Sequence, residues 1–283
     1  MRAVIITGDD FGLALPVNEA IEEAHLLGVL TAASLMVGAE AAADAVARAK
    51  RLPTLRVGLH VVVVEGRSVL PREAVPDLVD EHGEFRPNLL RAGFRFFFRP
   101  RVRMQLAREI RAQFEAFRQT GLPLDHVNAH NHMHLHPTVL GLILKIGRDY
   151  GLRAMRVPCE PLRGLQAGLP GGAVSRVASW VFLAPWVAWV RRRLRRAGVR
   201  HNDYVFGLHH SGRMHTNLVL DLLKWLPEGV TELYFHPATR RCPELERTMP
   251  DYHHRQELDA LLSPQVLEAV NLYGLRRIAF SDL

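Results

Sequence analysis

Five of the fifteen histidines fall within one short block, Asp125-His-Val-Asn-Ala-His-Asn-His-Met-His-Leu-His136. In an extended chain the period of two places His126, Asn128, His130, His132, His134 and His136 on one face. If the chain turns helical after His130, then His130 and His134 share a face one turn apart. Either geometry presents two imidazoles to one ion. Two adjacent acids, Asp9 and Asp10, follow a short apolar run and precede Phe11-Gly12. Neighbouring carboxylates in a pocket repel, so they hold different protonation states or share a cation. Capping of a helix near Val17 explains one acid and leaves the other idle. One Asp oxygen and two His nitrogens plus water make a four-coordinate site with an open position, as catalytic zinc requires. Such an ion lowers the pKa of water and polarises a carbonyl. The second Asp then serves as general base, and a His from another strand, His236, protonates a leaving amine.

These residues need elements to position them. Short apolar, β-branched runs predict strands near Ala3–Thr7, Ala33–Val37, Leu55–Val63, Asp125–His130, Ala154–Val157, Leu233–His236 and Arg277–Phe280. Helical patterns lie between them at Val17–Leu27, Ala39–Lys50, Val102–Arg118, Val139–Tyr150, Asn217–Trp225 and Arg255–Leu261. Continuous apolar strands alternating with helices imply a parallel sheet covered on both faces. The fold class expected is α/β, a barrel or doubly wound sheet of about seven parallel strands. Both architectures carry their sites at the carboxyl ends of the strands. Asp9, Asp10, His60, His130, His132, His134, Arg156 and His236 all fall at or just after strand ends, as an active site would.

The chain of 283 residues is 48% hydrophobic and 23% charged, which excludes a disordered or low-complexity protein. It reads as one domain, 1–283, with no linker. Two cysteines, Cys159 and Cys242, exclude a disulfide framework and a Cys-based zinc module. The chain has no Gly-x-Ser-x-Gly elbow and no phosphate loop of the Gly-Lys-Ser/Thr type. The apolar residues after Arg2 are too few for a signal peptide, and no run reaches the ~20 residues that span a bilayer. The expectation is a soluble cytoplasmic protein. Its net charge of +7 is concentrated. Residues 86–118 hold nine Arg against Glu109 and Glu115, and residues 177–202 hold six Arg and no acid.

Together the motifs resemble the YdjC-like carbohydrate deacetylases. The matching pieces are Thr7-Gly-Asp-Asp-Phe-Gly12 with Val17, Asn18, Ala20 and Ile21, then Gly28-Val-Leu-Thr-Ala-Ala-Ser34 and Val57-Gly-Leu-His60. The block His126-Val-Asn-Ala-His-Asn-His-Met-His134, Tyr234-Phe-His-Pro-Ala238 and the end Ile278-Ala-Phe-Ser-Asp282 complete them. The resemblance implies a distorted, TIM-like (β/α) barrel that removes acetyl groups from N-acetylated sugars with one divalent metal. It implies Asp10, His60 and His130 as ligands, Asp9 as base, His236 on the leaving-group side, and Arg156 orienting Asp9 or the substrate. Zinc is favoured by the ligand types, with magnesium or another divalent ion as the alternative. The family block reads Asp-Ser-His-His-His-x-His, whereas Asn128, Ala129 and Asn131 stand at three of those positions here. Hydrogen bonding behind the ligands must therefore differ, with Asn128, His132 and His134 touching either the ligands or the substrate.

The chain is most similar to the hopanoid-biosynthesis (HpnK) branch, which implies deacetylation of an N-acetylglucosaminyl hopanoid to the free amine. Two segments fit a lipid substrate. Trp180, Trp186 and Trp189 lie in an eleven-residue apolar run followed by Arg191-Arg-Arg-Leu-Arg-Arg196, and Phe96, Phe97 and Phe98 sit among arginines. Aromatic bodies with cationic rims suit the headgroup boundary of an anionic membrane, which would place the protein peripherally on the inner face of the cytoplasmic membrane. Packing on the barrel or in a homodimer is the competing use. Deacetylation of soluble chitooligosaccharides, or a non-enzymatic basic protein on RNA or membrane, are the alternative functions. Nucleic acid is not expected as a partner, because no recognition motif accompanies the arginines.

Overall fold

The computed structural model describes residues 2–161 and 173–283, with the side chains of 173–183 excepted. A parallel sheet is built from β1 (Arg2–Phe11), β2 (Ala32–Leu35), β3 (Arg56–Val61), β6 (Val127–Ala129), β7 (Tyr204–Phe206), β8 (Gly229–Phe235) and β9 (Arg276–Arg277). Its order is β6-β3-β2-β1-β8-β7, with β9 paired to the first half of β1 at Ala3 and Val4. A small antiparallel pair, β4 (Gly66–Arg67) and β5 (Glu84–Phe85), stands apart. The sheet is curled, and single bridges join its two ends: Val127 to Met155, and Ala154 to Arg200. The Asn202 amide supplies the missing rung, accepting from Val157 N–H at 2.7 Å and donating to Val157 C=O at 2.9 Å. The distorted barrel expected from the sequence is therefore present. The run 154–157 forms bridges rather than a full strand, and β7, whose three residues are too few to show a period, was not anticipated.

The outer layer comprises α1 (Leu15–Leu27), α2 (Ala42–Arg51), α3 (Leu89–Phe98), α4 (Pro100–Gln119), α5 (Pro137–Gly147), α6 (Ala173–Arg196), α7 (Thr216–Lys224), α8 (Pro243–Thr248), α9 (His254–Leu262) and α10 (Pro264–Leu272). Five of these, α1, α4, α5, α8 and α10, begin with Pro at the first or second position. There the missing N–H costs nothing and the fixed φ favours the helix. The central strands are buried on both faces, as their continuous apolar sequence requires.

The two basic-aromatic segments behave differently. In α3, Phe96 is buried at 3% exposure, which removes it from the predicted surface contacts, because helical periodicity turns it onto the core while its neighbours face out. Leu90, Phe94, Phe97 and Phe98 are exposed, and Arg101 and Met104 of α4 continue that surface. In α6, Val187, Val190 and Leu194 face the core. Trp186 stacks on the half-buried Trp189 and donates its Nε1–H to Leu135 C=O at 2.9 Å. Trp180 lies outside the described side chains. No helix among the described residues is long and apolar enough to cross a membrane.

Candidate metal centre and active site

Successive side chains of a strand point to opposite faces, so Asp9 and Asp10 should diverge. They do not, because β1 carries a bulge where its register against β2 shifts between Gly8 and Phe11, and Asp10 sits at φ 60°. A bulge re-aims a side chain in this way. A left-handed Asp costs of order 1–3 kcal/mol and persists where surrounding structure fixes it. Gly12, at φ 97°, completes the turn, and its N–H donates to Asn18 Oδ1 at 2.7 Å. Asn18 in turn donates to Ala41 C=O and to Asp44, tying the loops after β1 and β2 together.

His60 comes from the end of β3. Gly58, two residues earlier, must lack a side chain because a Cβ would lie 2.5 Å from the buried His126 ring. His130 follows β6 directly. There the alternation stops: the chain enters a 3-10 turn, His130–Leu135, with Asn131 and His132 in left-handed backbone. His132 and His134 therefore both turn inward, the former reaching Tyr234 OH at 3.3 Å. His126 and His136 leave the face assigned to them. His126 stacks on Phe280 beneath the site, and His136 meets the edges of Phe96 and Phe97.

Asp10 Oδ1 lies 3.3 Å from His60 Nε2 and 3.3 Å from His130 Nδ1, all three residues being buried. Neither Asp10 oxygen has a hydrogen-bond partner of good geometry. Burial alone would raise this carboxyl, but His130 and His60 hold it well below the usual carboxylate range. One ligand atom from each of the three falls within 4.8 Å of the others. Asn128 Oδ1 accepts from His60 Nδ1–H at 2.6 Å, which leaves the lone pair of His60 on Nε2, 3.3 Å from both Asp10 Oδ1 and His130 Nδ1.

Asp9 is partnered on every side. Arg156 donates to it twice, at 2.6 and 3.0 Å, and Asn128 Nδ2 donates at 3.2 Å. Burial would raise its carboxyl, and the Arg156 guanidinium, with His60, overrides that and holds it far below the ordinary value. Arg156 also grips Glu232 at 2.8 and 2.7 Å and lies 4.6 Å over the Tyr234 ring. Thr7 Oγ1 donates to Glu232 at 2.7 Å. His236 lies beside Tyr234 and Tyr252 with its Nδ1 buried and unpartnered. Burial pushes its imidazole down to about 4, so it is neutral near pH 7. Its backbone N–H donates to Glu257 at 2.5 Å, and burial pushes that carboxyl up to about 7.

All the residues expected at the site are thus brought together at one end of the barrel. Those missed are Glu232, Tyr234, Glu257 and Ser34, whose hydroxyl accepts from Asn128 Nδ2 at 2.9 Å. Glu232 sits mid-strand, where the sequence gives it no motif, and only its position two residues before Tyr234 could have pointed inward.

A divalent metal fits these residues. Asp9, Asp10 and Glu232 are buried carboxylates gathered around one buried guanidinium, that of Arg156. Buried charge without a partner is strongly unfavourable, and the orphaned Asp10 oxygens mark where a cation would sit.

The chain matches the YdjC-like protein model over residues 3–271 and belongs to that family. Carbohydrate deacetylases of Brevibacillus brevis and Geobacillus stearothermophilus are 41% and 39% identical over 150 and 163 residues. Those stretches cover 52% and 57% of this chain but only 56% and 60% of the relatives, little more than half of each. Among solved structures, an Enterococcus faecalis protein described as a candidate for cellobiose-phosphate cleavage superposes with TM-score 0.77 at 25% identity, covering 99% of this chain and 98% of that one. A lactam utilization protein of Thermus thermophilus shares the fold alone, with TM-score 0.50 at 14% identity, covering 99% of this chain and 100% of that one.

Proposed function

We propose that this chain is a metal-dependent N-deacetylase that acts on an N-acetylglucosaminyl hopanoid, N-acetylglucosaminyl-bacteriohopanetetrol, and yields the free glucosaminyl lipid. The observation that carries the reaction is the contrast at Asp9 and Asp10: an orphaned carboxylate flanked by two imidazoles, beside a carboxylate held ionised by Arg156. The names of the two carbohydrate deacetylase relatives support the same chemistry.

Asp10, His60 and His130 would hold the ion, which supplies Lewis acidity toward water and toward an acetamide carbonyl. Zinc suits one carboxylate and two imidazoles, with magnesium as the alternative. Asp9, ionised across the neutral range, accepts the proton of the attacking water. Arg156 fixes both of its oxygens, so the acceptor does not drift when substrate binds. Asn128 links the two halves by orienting His60 and Asp9 with one amide. His236, neutral and with a free Nδ1, takes up the proton and delivers it to the departing amine. His132 reaches the Tyr234 hydroxyl, and His134 is buried against the His132 ring.

The exposed face of α3, with Leu90, Phe94, Phe97 and Phe98 and the exposed Arg91 and Arg99, supports docking on an anionic membrane from which such a lipid would be drawn. Deacetylation of soluble chitooligosaccharides is the second reading, favoured by the relatives described as carbohydrate deacetylases. The test is incubation of the metal-loaded protein with the hopanoid glycolipid and with chitobiose, following loss of one acetyl by mass. Loss from the lipid alone is the expected result, and loss from chitobiose alone would overturn the lipid reading.

A further inference from the structure

A cavity of about 340 Å³ opens beside His130, between the loops after β1, β2 and β3 and helix α8. Its size is that of a small-molecule pocket. The inner wall is apolar, formed by Leu13, Met36, Val37, Val62 and Phe85. The wall is also fixed in place. Gln113 accepts from Val62 N–H at 2.9 Å and donates to Val62 C=O at 2.6 Å. Four residues before it on α4, Glu109 takes the N–H groups of Val69 and Leu70 at 2.8 and 3.0 Å.

The charged groups on the rim already have partners. Arg67 pairs with Glu40 at 3.2 Å, and Arg247 reaches both oxygens of Glu84 at 2.8 and 3.0 Å. Glu65 accepts from the Asn131 amide at 2.7 Å, and Glu244 is hydrogen-bonded to Cys242. A charged ligand would have to break one of these pairs, whereas an uncharged apolar group asks for none of them. His130 belongs to both the cavity and the metal cluster, so a ligand in the cavity lies one side chain from the reacting centre.

We infer that this cavity receives the uncharged, apolar aglycone of a glycoside whose N-acetylated sugar lies at the Asp10–His60–His130 cluster. The inference rests on the deacetylase reading for the sugar, and on the cavity alone for the aglycone. An aglycone of this kind makes the cavity, rather than the metal cluster, the source of selection among N-acetylated sugars.

The test uses the metal-loaded protein with methyl and octyl N-acetyl-β-glucosaminide and with chitobiose, each below any micellar concentration. Calorimetry gives Kd, and acetate release gives KM. Burial of only a few methylenes makes the octyl glycoside bind about tenfold tighter than the methyl glycoside or more. Ala39→Phe and Thr248→Phe, which fill the cavity from the loop after β2 and from α8, are expected to remove that preference and to leave metal content and the methyl KM unchanged. Equal binding of octyl and methyl glycosides, chitobiose binding as tightly as octyl, or an octyl preference that survives both variants would overturn the inference. Absence of acetate release with the octyl preference intact and variant-sensitive would support the cavity and overturn the deacetylase reading instead.

Discussion

The two sides of the site start from the same residue type, one peptide bond apart, and end in opposite surroundings. On one side Asp9 receives three hydrogen bonds and shares Arg156 with Glu232. On the other, Asp10 has two imidazoles at 3.3 Å and no hydrogen bond of good geometry. The bulge in β1 is what separates them, because it brings both side chains to one face while giving each a different neighbour. The lesson is that a pair of acids divides its labour through backbone geometry. The Arg156 side is built to keep a carboxylate fixed and ionised, and the histidine side is built to be completed by a cation.

The largest effect is expected on the Arg156 side. Arg156→Met leaves Asp9 and Glu232 buried without a counter-charge, which costs about 3–5 kcal/mol. Denaturant titration of the metal-free protein checks this, and an unchanged midpoint would mean that the carboxylates are not held by that guanidinium. Next comes the joint between the sides. Asn128→Ala frees His60 Nδ1 and is expected to weaken metal binding about 10–100-fold, measured by competition with a chelator. Unchanged affinity would make Asn128 a packing residue.

Acid sharpens the contrast further. Burial holds His236 and His132 neutral, down to about 4 and about 3 from an ordinary 6.5. The unfolded chain therefore binds protons at higher pH than the native one, and stability falls as pH drops from about 6.5 toward 4. The contribution of Asp9, whose carboxyl is depressed instead, is lost only below the ordinary carboxylate value of 3.8. Unfolding midpoints of the metal-free protein at pH 7.5, 6 and 5 should decline in that order. The raised Glu257 carboxyl works in the opposite direction between about 7 and 4.5, so the decline should steepen in Glu257→Gln, and a flat profile in that variant would show that these imidazoles are not buried neutral. The smallest effect is on the surface: Phe94→Ser with Phe97→Ser should change stability by no more than about 0.5 kcal/mol yet reduce co-sedimentation with anionic liposomes. Undiminished co-sedimentation would remove α3 as a membrane contact.

Much of this was legible in the sequence because its signals are local. Apolar runs placed β1, β2, β3 and β8, and strand ends placed Asp9, Asp10, His60, His130 and His236. The geometry of the histidine block was not legible: period-two and helical readings both assume regular backbone, and Asn131 and His132 adopt left-handed conformations instead. Glu232 was silent because its partner, Arg156, lies 76 residues away and only the closed barrel brings them together. Composition misled at Phe96, where an aromatic among arginines faces the core. It also could not tell the outward aromatics of α3 from Trp189, which packs against the core with Trp186 stacked on it.

The most direct test sets Asp9→Asn beside Asp10→Asn and measures bound metal and acetyl release on the same samples. The expected result is that Asp9→Asn keeps stoichiometric metal while turnover falls about 10²–10⁴-fold, and that Asp10→Asn loses both. Full metal occupancy in Asp10→Asn, or metal loss in Asp9→Asn, would contradict the division of roles between the two carboxylates.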